Sequence, residues 1–259
     1  MSDKNLKEVA LRTLGLIDLT NLNDDCTPQD IEDLCKRAVT PYGHTAAICV
    51  FPQFVKQGVE LLKGTGVRVA TVVNFPHGGE DIEATVAETK QAIADGADDI
   101  DLVMPYKAFM DGRRGYAETM IRRVREAIPE PAILKVILET GEIKDARIIH
   151  MASETAIAQG ADFIKTSTGK VEENATLASA EIMLNVIREV SLENHRPVGF
   201  KPAGGIRSVA EAKQYLDLAD ELLGHNWVSA ATFRFGASGL LGDVLAALEG
   251  TTNVNTEAY

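Results

Sequence analysis

The chain has 259 residues, 45% of them hydrophobic and 25% charged, which suits one large α/β domain with a substantial core. Its formal charge of −12 argues against a nucleic-acid partner, so an anionic ligand would need a locally positive pocket. No apolar signal core follows Met1 and no stretch approaches the ~18 apolar residues of a membrane span, which predicts a cytoplasmic protein with no membrane partner.

Residues 4–14 read as an amphipathic helix ahead of a first strand over 15–20. Thr27-Pro28-Gln29-Asp30 is a helix start, with Thr27 at the cap, Pro28 at the first helical position and an acid at the third. That helix runs to about residue 40 and leads to a strand over 46–50. Helices over 53–63, 80–95, 114–127, 144–159 and 176–190 then alternate with strands over 67–73, 99–104, 132–138, 163–166 and 198–202. Ser208-Val209-Ala210-Glu211 is a capping box opening the next helix, before a strand over 232–236 and a helix over 239–249. The last segment, 250–259, is polar and aperiodic and is expected to be a mobile tail. No linker splits the chain. Eight strands alternating with eight helices predict a single-domain (β/α)8 TIM barrel with an additional N-terminal helix; a doubly wound open sheet is the competing arrangement.

Ala92–Asp101 and Ala156–Lys165 repeat almost letter for letter, each a helix end, a glycine stop and a strand entry. The repeat sets Asp101 and Lys165 at one depth on the fourth and sixth strands, and alternate barrel strands share a layer of side chains. Strand side chains also alternate between helix layer and lumen. With Ile17, Leu19, Ile100, Leu102, Leu134, Val136, Ile164 and Phe200 facing the helices, Asp18, Asp101, Lys135, Lys165 and Lys201 all point inward.

A buried ion network is a poor stabiliser, because each ion loses its hydration before pairing recovers it, so these five residues suggest chemistry. An ordinary lysine is neutral in only about one molecule in 2,500 at pH 7. A neighbouring cation and partial desolvation raise that fraction and give an amine able to form a Schiff base. Lys165 lies in Asp162-Phe163-Ile164-Lys165-Thr166-Ser167-Thr168-Gly169-Lys170, a strand entering a polar glycine loop, with Lys201 as the perturbing cation and Asp101 as a proton carrier. Gly169-Lys170, Gly204-Gly205 and Gly236-Ala237-Ser238 follow the sixth, seventh and eighth strands, where such barrels bind phosphate. His44, His77, His150, His195 and His225 show no ligand spacing, and the three cysteines, Cys26, Cys35 and Cys49, no CxxC, so no metal or other cofactor is expected and a reducing compartment is.

Phe163-Ile164-Lys165-Thr166-Ser167-Thr168-Gly169, Gly199-Phe200-Lys201-Pro202-Ala203-Gly204-Gly205-Ile206-Arg207 and Asp18-Leu19-Thr20 resemble the deoxyribose-phosphate aldolase family. Asn74-Phe75-Pro76-His77-Gly78, Asp101, Leu134-Lys135-Val136-Ile137 and Glu139-Thr140-Gly141 fit the same pattern, so the similarity spans the chain. The resemblance implies a metal-free class I aldolase that cleaves 2-deoxy-D-ribose 5-phosphate to acetaldehyde and D-glyceraldehyde 3-phosphate. Its Schiff-base lysine would be Lys165, its second lysine Lys201 and its proton-relay aspartate Asp101. It further implies substrate contacts at Asp18, Thr20, Lys135 and Thr168, and phosphate contacts at Gly169, Lys170, Gly204, Gly205, Gly236 and Ser238. Tyr259, in the tail, would help move a proton at the enamine carbon. A homodimer and a cytosolic role in deoxynucleoside breakdown come from the same source. One departure stands out, since relatives often carry a second serine where this chain has Gly239. Another lysine-dependent lyase or transaldolase-like enzyme, or a non-catalytic sugar-phosphate-binding barrel, is the alternative.

Overall fold

The structure is a computed structural model that describes residues 3–194 and 196–251. The helix Asp3–Leu14 (α1) precedes eight parallel strands: Ile17–Asn21 (β1), Ala47–Val50 (β2), Arg68–Val73 (β3), Asp99–Val103 (β4), Ile133–Ile137 (β5), Phe163–Lys165 (β6), Gly199–Lys201 (β7) and Phe235–Ala237 (β8). Helices Pro28–Ala38 (α2), Val55–Leu61 (α3) and Ile82–Ala94 (α4) follow the first three strands. Tyr106–Met110 (α5), Arg114–Glu126 (α6), Thr140–Ile143 (α7) and Ala146–Ala158 (α8) occupy the next two connections. Leu177–Asn194 (α9), Val209–Leu223 (α10) and Leu240–Glu249 (α11) complete the outer ring.

Both helix starts read from sequence form as capping boxes: Thr27 with Asp30 opens α2, and Ser208 with Glu211 opens α10. Each box satisfies backbone N–H groups that a helix end leaves unpaired. The four-residue α7, the five-residue α5 and a small hairpin, Val39–Thr40 with Gly43–His44, were not expected. Elements this short carry no periodic signal.

The sheet closes, which excludes the open doubly wound arrangement. β8 pairs with β1, Ile17 opposite Phe235, while residues 232–236 close the ring onto β7. Phe200 N donates to Thr232 O at 2.8 Å, Arg234 N to Phe200 O at 3.0 Å, and Gly236 N to Pro202 O at 3.0 Å. The expected eighth strand over 232–236 is therefore shifted: its first part makes only the closing bridges, and the regular strand runs 235–237.

Followed round the barrel, the strand registers carry Asp18 back to the level of position 10, a stagger of eight residues. This stagger sorts the inward side chains into three layers. The lowest holds Ala47, Asp99, Phe163 and Arg234; the middle holds Asp18, Ala70, Lys135 and Lys201; the upper holds Cys49, Asp101, Lys165 and Gly236. Asp101 and Lys165 thus share a layer, as the repeat predicts. Arg234 lies over the Phe163 ring at 5.8 Å within the lowest layer. On the β2–β3 side the lumen is apolar, with Ala47, Cys49, Ala70, Val72 and Leu22 clustered against Phe51 and Phe75. The main core lies outside the strands, between them and the helices.

The end of α11 bears on the expected tail. Gly250 adopts φ 76° and Thr251 N donates to Ala246 O at 3.0 Å, so both residues belong to the helix cap. Tyr259 lies outside the described residues.

Candidate active site

Asp101 is the hub of the lumen. Its Oδ2 accepts from Lys165 Nζ and from Lys201 Nζ, each at 2.8 Å, and its Oδ1 accepts from Lys135 Nζ at 3.1 Å. Asp18 sits a layer below, accepting from Lys201 at 2.6 Å and from Arg234 at 2.8 Å. Asp99 accepts from Lys135 at 2.6 Å and pairs with Arg68 at 2.6 Å at the barrel floor. The sequence pattern brings Asp18, Asp101, Lys135, Lys165 and Lys201 together, and the structure adds Asp99 and Arg234 to them. Both additions share the parity that selected the other five: Asp99 lies two residues before Asp101, and Arg234 lies between Phe233 and Phe235 of the core.

The three lysines differ in company. Lys135 reaches three carboxylates and Lys201 two, and both are fully buried. Lys165 reaches one, Asp101, which it shares, and its side chain keeps 4% exposure at the floor of the cleft. Burial opposes ionisation of Asp101, but Lys135, Lys165 and Lys201 outweigh it and hold the carboxyl well below the usual range. Asp18 is depressed too, because Lys201, Arg234 and Lys135 overcome its burial. Lys201 moves the other way: burial favours the neutral amine, yet Asp101 and Asp18 raise its pKa and keep it an ammonium.

Above this network opens a cleft of about 720 Å³ at the C-terminal ends of the strands. Thr20, Lys165, Thr168, Gly169, Lys170, Gly204, Gly205, Gly236 and Ser238 line it, so every predicted phosphate residue meets at one mouth. Thr20 Oγ1 donates back to Asp18 O at 2.8 Å. Lys170 Nζ stands 3.6 Å from the exposed Asp24, a weak pairing that leaves it available to an anion. Gly236 is required by close approach, because a Cβ there would sit 2.8 Å from Ala203 Cβ and 3.1 Å from Lys201 Cε. Asn23, Asn174 and Arg207 also line the cleft and were not singled out from sequence. Arg207 closes the Gly204-Gly205-Ile206 run, so its place just beyond the glycine turn was the available signal. Among the described residues, no group of three or more His, Cys, Asp or Glu side chains could hold a metal ion.

A closed barrel with a reachable amine above a charged lumen, opening into a glycine-lined cationic mouth, is a (β/α)8 enzyme equipped for amine chemistry on an anionic substrate. Residues 13–241 match the DeoC/LacD family aldolases. The chain belongs to that family and is an aldolase, a lyase of carbon–carbon bonds. It is 56% identical to a deoxyribose-phosphate aldolase of Agrobacterium fabrum over 245 residues, covering 94% of this chain and 93% of the relative. A candidate deoxyribose-phosphate aldolase of Toxoplasma gondii superposes with a TM-score of 0.86 at 26% identity, over 98% of this chain and 99% of that one. The tetrameric deoxyribose phosphate aldolase of Aeropyrum pernix shares the fold, with a TM-score of 0.70 at 22% identity over 96% of this chain and 98% of that one.

Proposed function

We propose that the chain reversibly cleaves 2-deoxy-D-ribose 5-phosphate to acetaldehyde and D-glyceraldehyde 3-phosphate through an imine on Lys165. The observation that carries this reading is the contrast among the lumen lysines: Lys165 alone of the three lines the cleft, with one shared carboxylate partner. The amine of Lys165 adds to the substrate aldehyde, and loss of water leaves a protonated imine that withdraws electrons from the C2–C3 bond. Asp101, through a water, takes the proton from the C3 hydroxyl; the bond breaks, and glyceraldehyde phosphate departs. The enamine left on Lys165 is protonated at C2 and hydrolysed to acetaldehyde. Lys201 remains charged throughout, and its ammonium shares with Lys165 the same oxygen of Asp101.

Lys170, Gly169, Gly204, Gly205, Gly236 and Ser238 would hold the phosphate, with the start of α11 supplying N–H groups. Thr20 and Thr168, which line the cleft, would contact the sugar. Asp18 and Lys135, expected from sequence to touch it, are fully buried beneath the cleft and would act through Lys201 and Asp101. Tyr259 would assist protonation of the enamine. A homodimer, a cytosolic setting and a role in deoxynucleoside breakdown complete the proposal; light scattering of the purified chain tests the first. The deciding experiment is borohydride reduction with acetaldehyde followed by peptide mapping. The expected product is alkylated Lys165 with loss of activity. A label on Lys135 or Lys201, or none, would reject the assignment, as would loss of activity on exhaustive chelation.

A further inference from the structure

The turn after β5 carries a buried acid that the mechanism above does not use. Glu139 is fully buried and holds a left-handed backbone at φ 64°, a costly conformation for a residue with a Cβ. The ladder explains it. Leu138 N donates to Lys165 O at 3.0 Å and Thr140 N to Thr166 O at 2.9 Å, so two residues advance on one side for one on the other. Glu139 is the extra residue of this bulge, and the bulge aims its side chain at the β6 loop. One carboxylate oxygen accepts from Thr168 N at 3.1 Å, the other from Thr168 Oγ1 at 2.6 Å. Two residues on, Gly141 packs so tightly that a Cβ would collide with the carbonyl oxygen of Glu173. The 139–141 turn therefore grips the loop after Lys165 at two points.

The grip has a chemical consequence. A threonine hydroxyl has one proton and two lone pairs. The proton of Thr168 goes to Glu139, and one lone pair accepts from Lys170 N at 3.1 Å. Among the described residues nothing takes the other lone pair, and Thr168 lines the cleft with Lys165. We propose that Glu139 is a positioning residue that fixes Thr168 as a hydrogen-bond acceptor toward the cleft, so that the site selects a substrate hydroxyl able to donate to it. The proposal rests on the sugar-phosphate reading above, since sugar hydroxyls are the donors.

An amide at position 139 reverses this polarity without changing its shape. Thr168 N can only donate, so the amide oxygen must take it. The amide NH2 then faces Thr168 Oγ1, and the hydroxyl proton turns into the cleft. Burial already lifts the Glu139 carboxyl above its usual range, so a neutral amide relieves a desolvation cost and the fold is retained.

The test compares full-length wild type with Glu139→Gln, Thr168→Val and the double variant. Glu139→Gln is expected to raise KM for 2-deoxyribose 5-phosphate about tenfold, the scale of one mispaired hydrogen bond, while borohydride trapping of acetaldehyde keeps its wild-type rate. Acetaldehyde has no hydroxyl to donate, so its capture does not read Thr168. The double variant should match Thr168→Val alone, because no hydroxyl is left to reorient. A Glu139→Gln effect that persists undiminished in the Thr168→Val background would overturn the proposal and leave Glu139 as a loop brace, and so would trapping that falls in step with cleavage. Absence of trapping at Lys165 in the wild type would instead reject the imine reading, and the KM comparison is independent of it.

Discussion

Lys201 and Lys165 donate to the same oxygen of Asp101, and this shared acceptor governs how either lysine can be changed. Removing the Lys201 ammonium takes a cation away from Lys165 and frees Asp101 to pair with Lys165 more closely. For Lys201→Leu the acidic limb of the kcat/KM profile should therefore move up, with activity at pH 7 reduced accordingly. An unmoved limb with a raised KM would make Lys201 a binding residue. Side-chain parity was enough to read five of these charges from sequence, because a charge flanked by aliphatic residues on a strand has one direction to go. It did not reveal that a carboxylate would stand between the lysines, since contacts across a lumen depend on the stagger of the whole barrel. Asp99 lay outside the reading because it stands at the strand entry, where glycine and acid are also ordinary turn residues. Glu139 was unreadable for a different reason: its direction depends on a bulge, and a bulge inverts the parity on which the reading relies.

At the scale of elements, the cleft is built from strand-end loops and the start of α11. The loop glycines and the order of strands were legible, because punctuation by glycine and alternating periods survive in any single sequence. The one-turn helices α5 and α7 were not, yet α7 brings Gly141 against the β6 loop. Gly239 caps α11 with no side-chain hydrogen bond, at φ −99° and ψ −20°, and a Cβ there would meet nothing within 4 Å. A serine fits this backbone and would place a hydroxyl at the mouth that Ser238 and Gly239 already line. Gly239→Ser should therefore lower KM for the phosphorylated sugar; a hydrogen bond to a charged group is worth about 1.5–3 kcal/mol, or roughly 10- to 100-fold. The KM for unphosphorylated 2-deoxyribose should not change, and parallel improvement of both sugars would place the serine away from the phosphate. The same loops predict that the unphosphorylated sugar is the poorer substrate of the wild-type protein by orders of magnitude in kcat/KM, since several such contacts vanish together.

At the scale of the molecule, a chain of net charge −12 encloses a lumen of the opposite sign. Four buried cations, Lys135, Lys165, Lys201 and Arg234, face three buried carboxylates, Asp18, Asp99 and Asp101. The surplus cation is tolerable only where an anion can meet it, and Lys165 lines the cleft. Stability should respond to the balance rather than to the number of ion pairs. Lys165→Leu leaves three charges against three and puts an apolar side chain in a desolvated place, so urea unfolding should match or exceed the wild type. Asp101→Ala leaves four cations against two carboxylates and should cost about 3–5 kcal/mol, the scale of a broken buried pair. Acid should act through the same residues. The carboxyls of Asp18 and Asp101 are depressed, so their contribution is present above the unfolded value of about 3.9 and is lost as pH falls through their lower folded values. The lumen should thus hold until well below pH 4, followed by Trp227 fluorescence or far-ultraviolet circular dichroism. Asp101→Ala should unfold more easily already at pH 7 and show a shallower dependence on acid. Equal urea midpoints for wild type and Asp101→Ala would mean that water, rather than Asp101, balances the lysines.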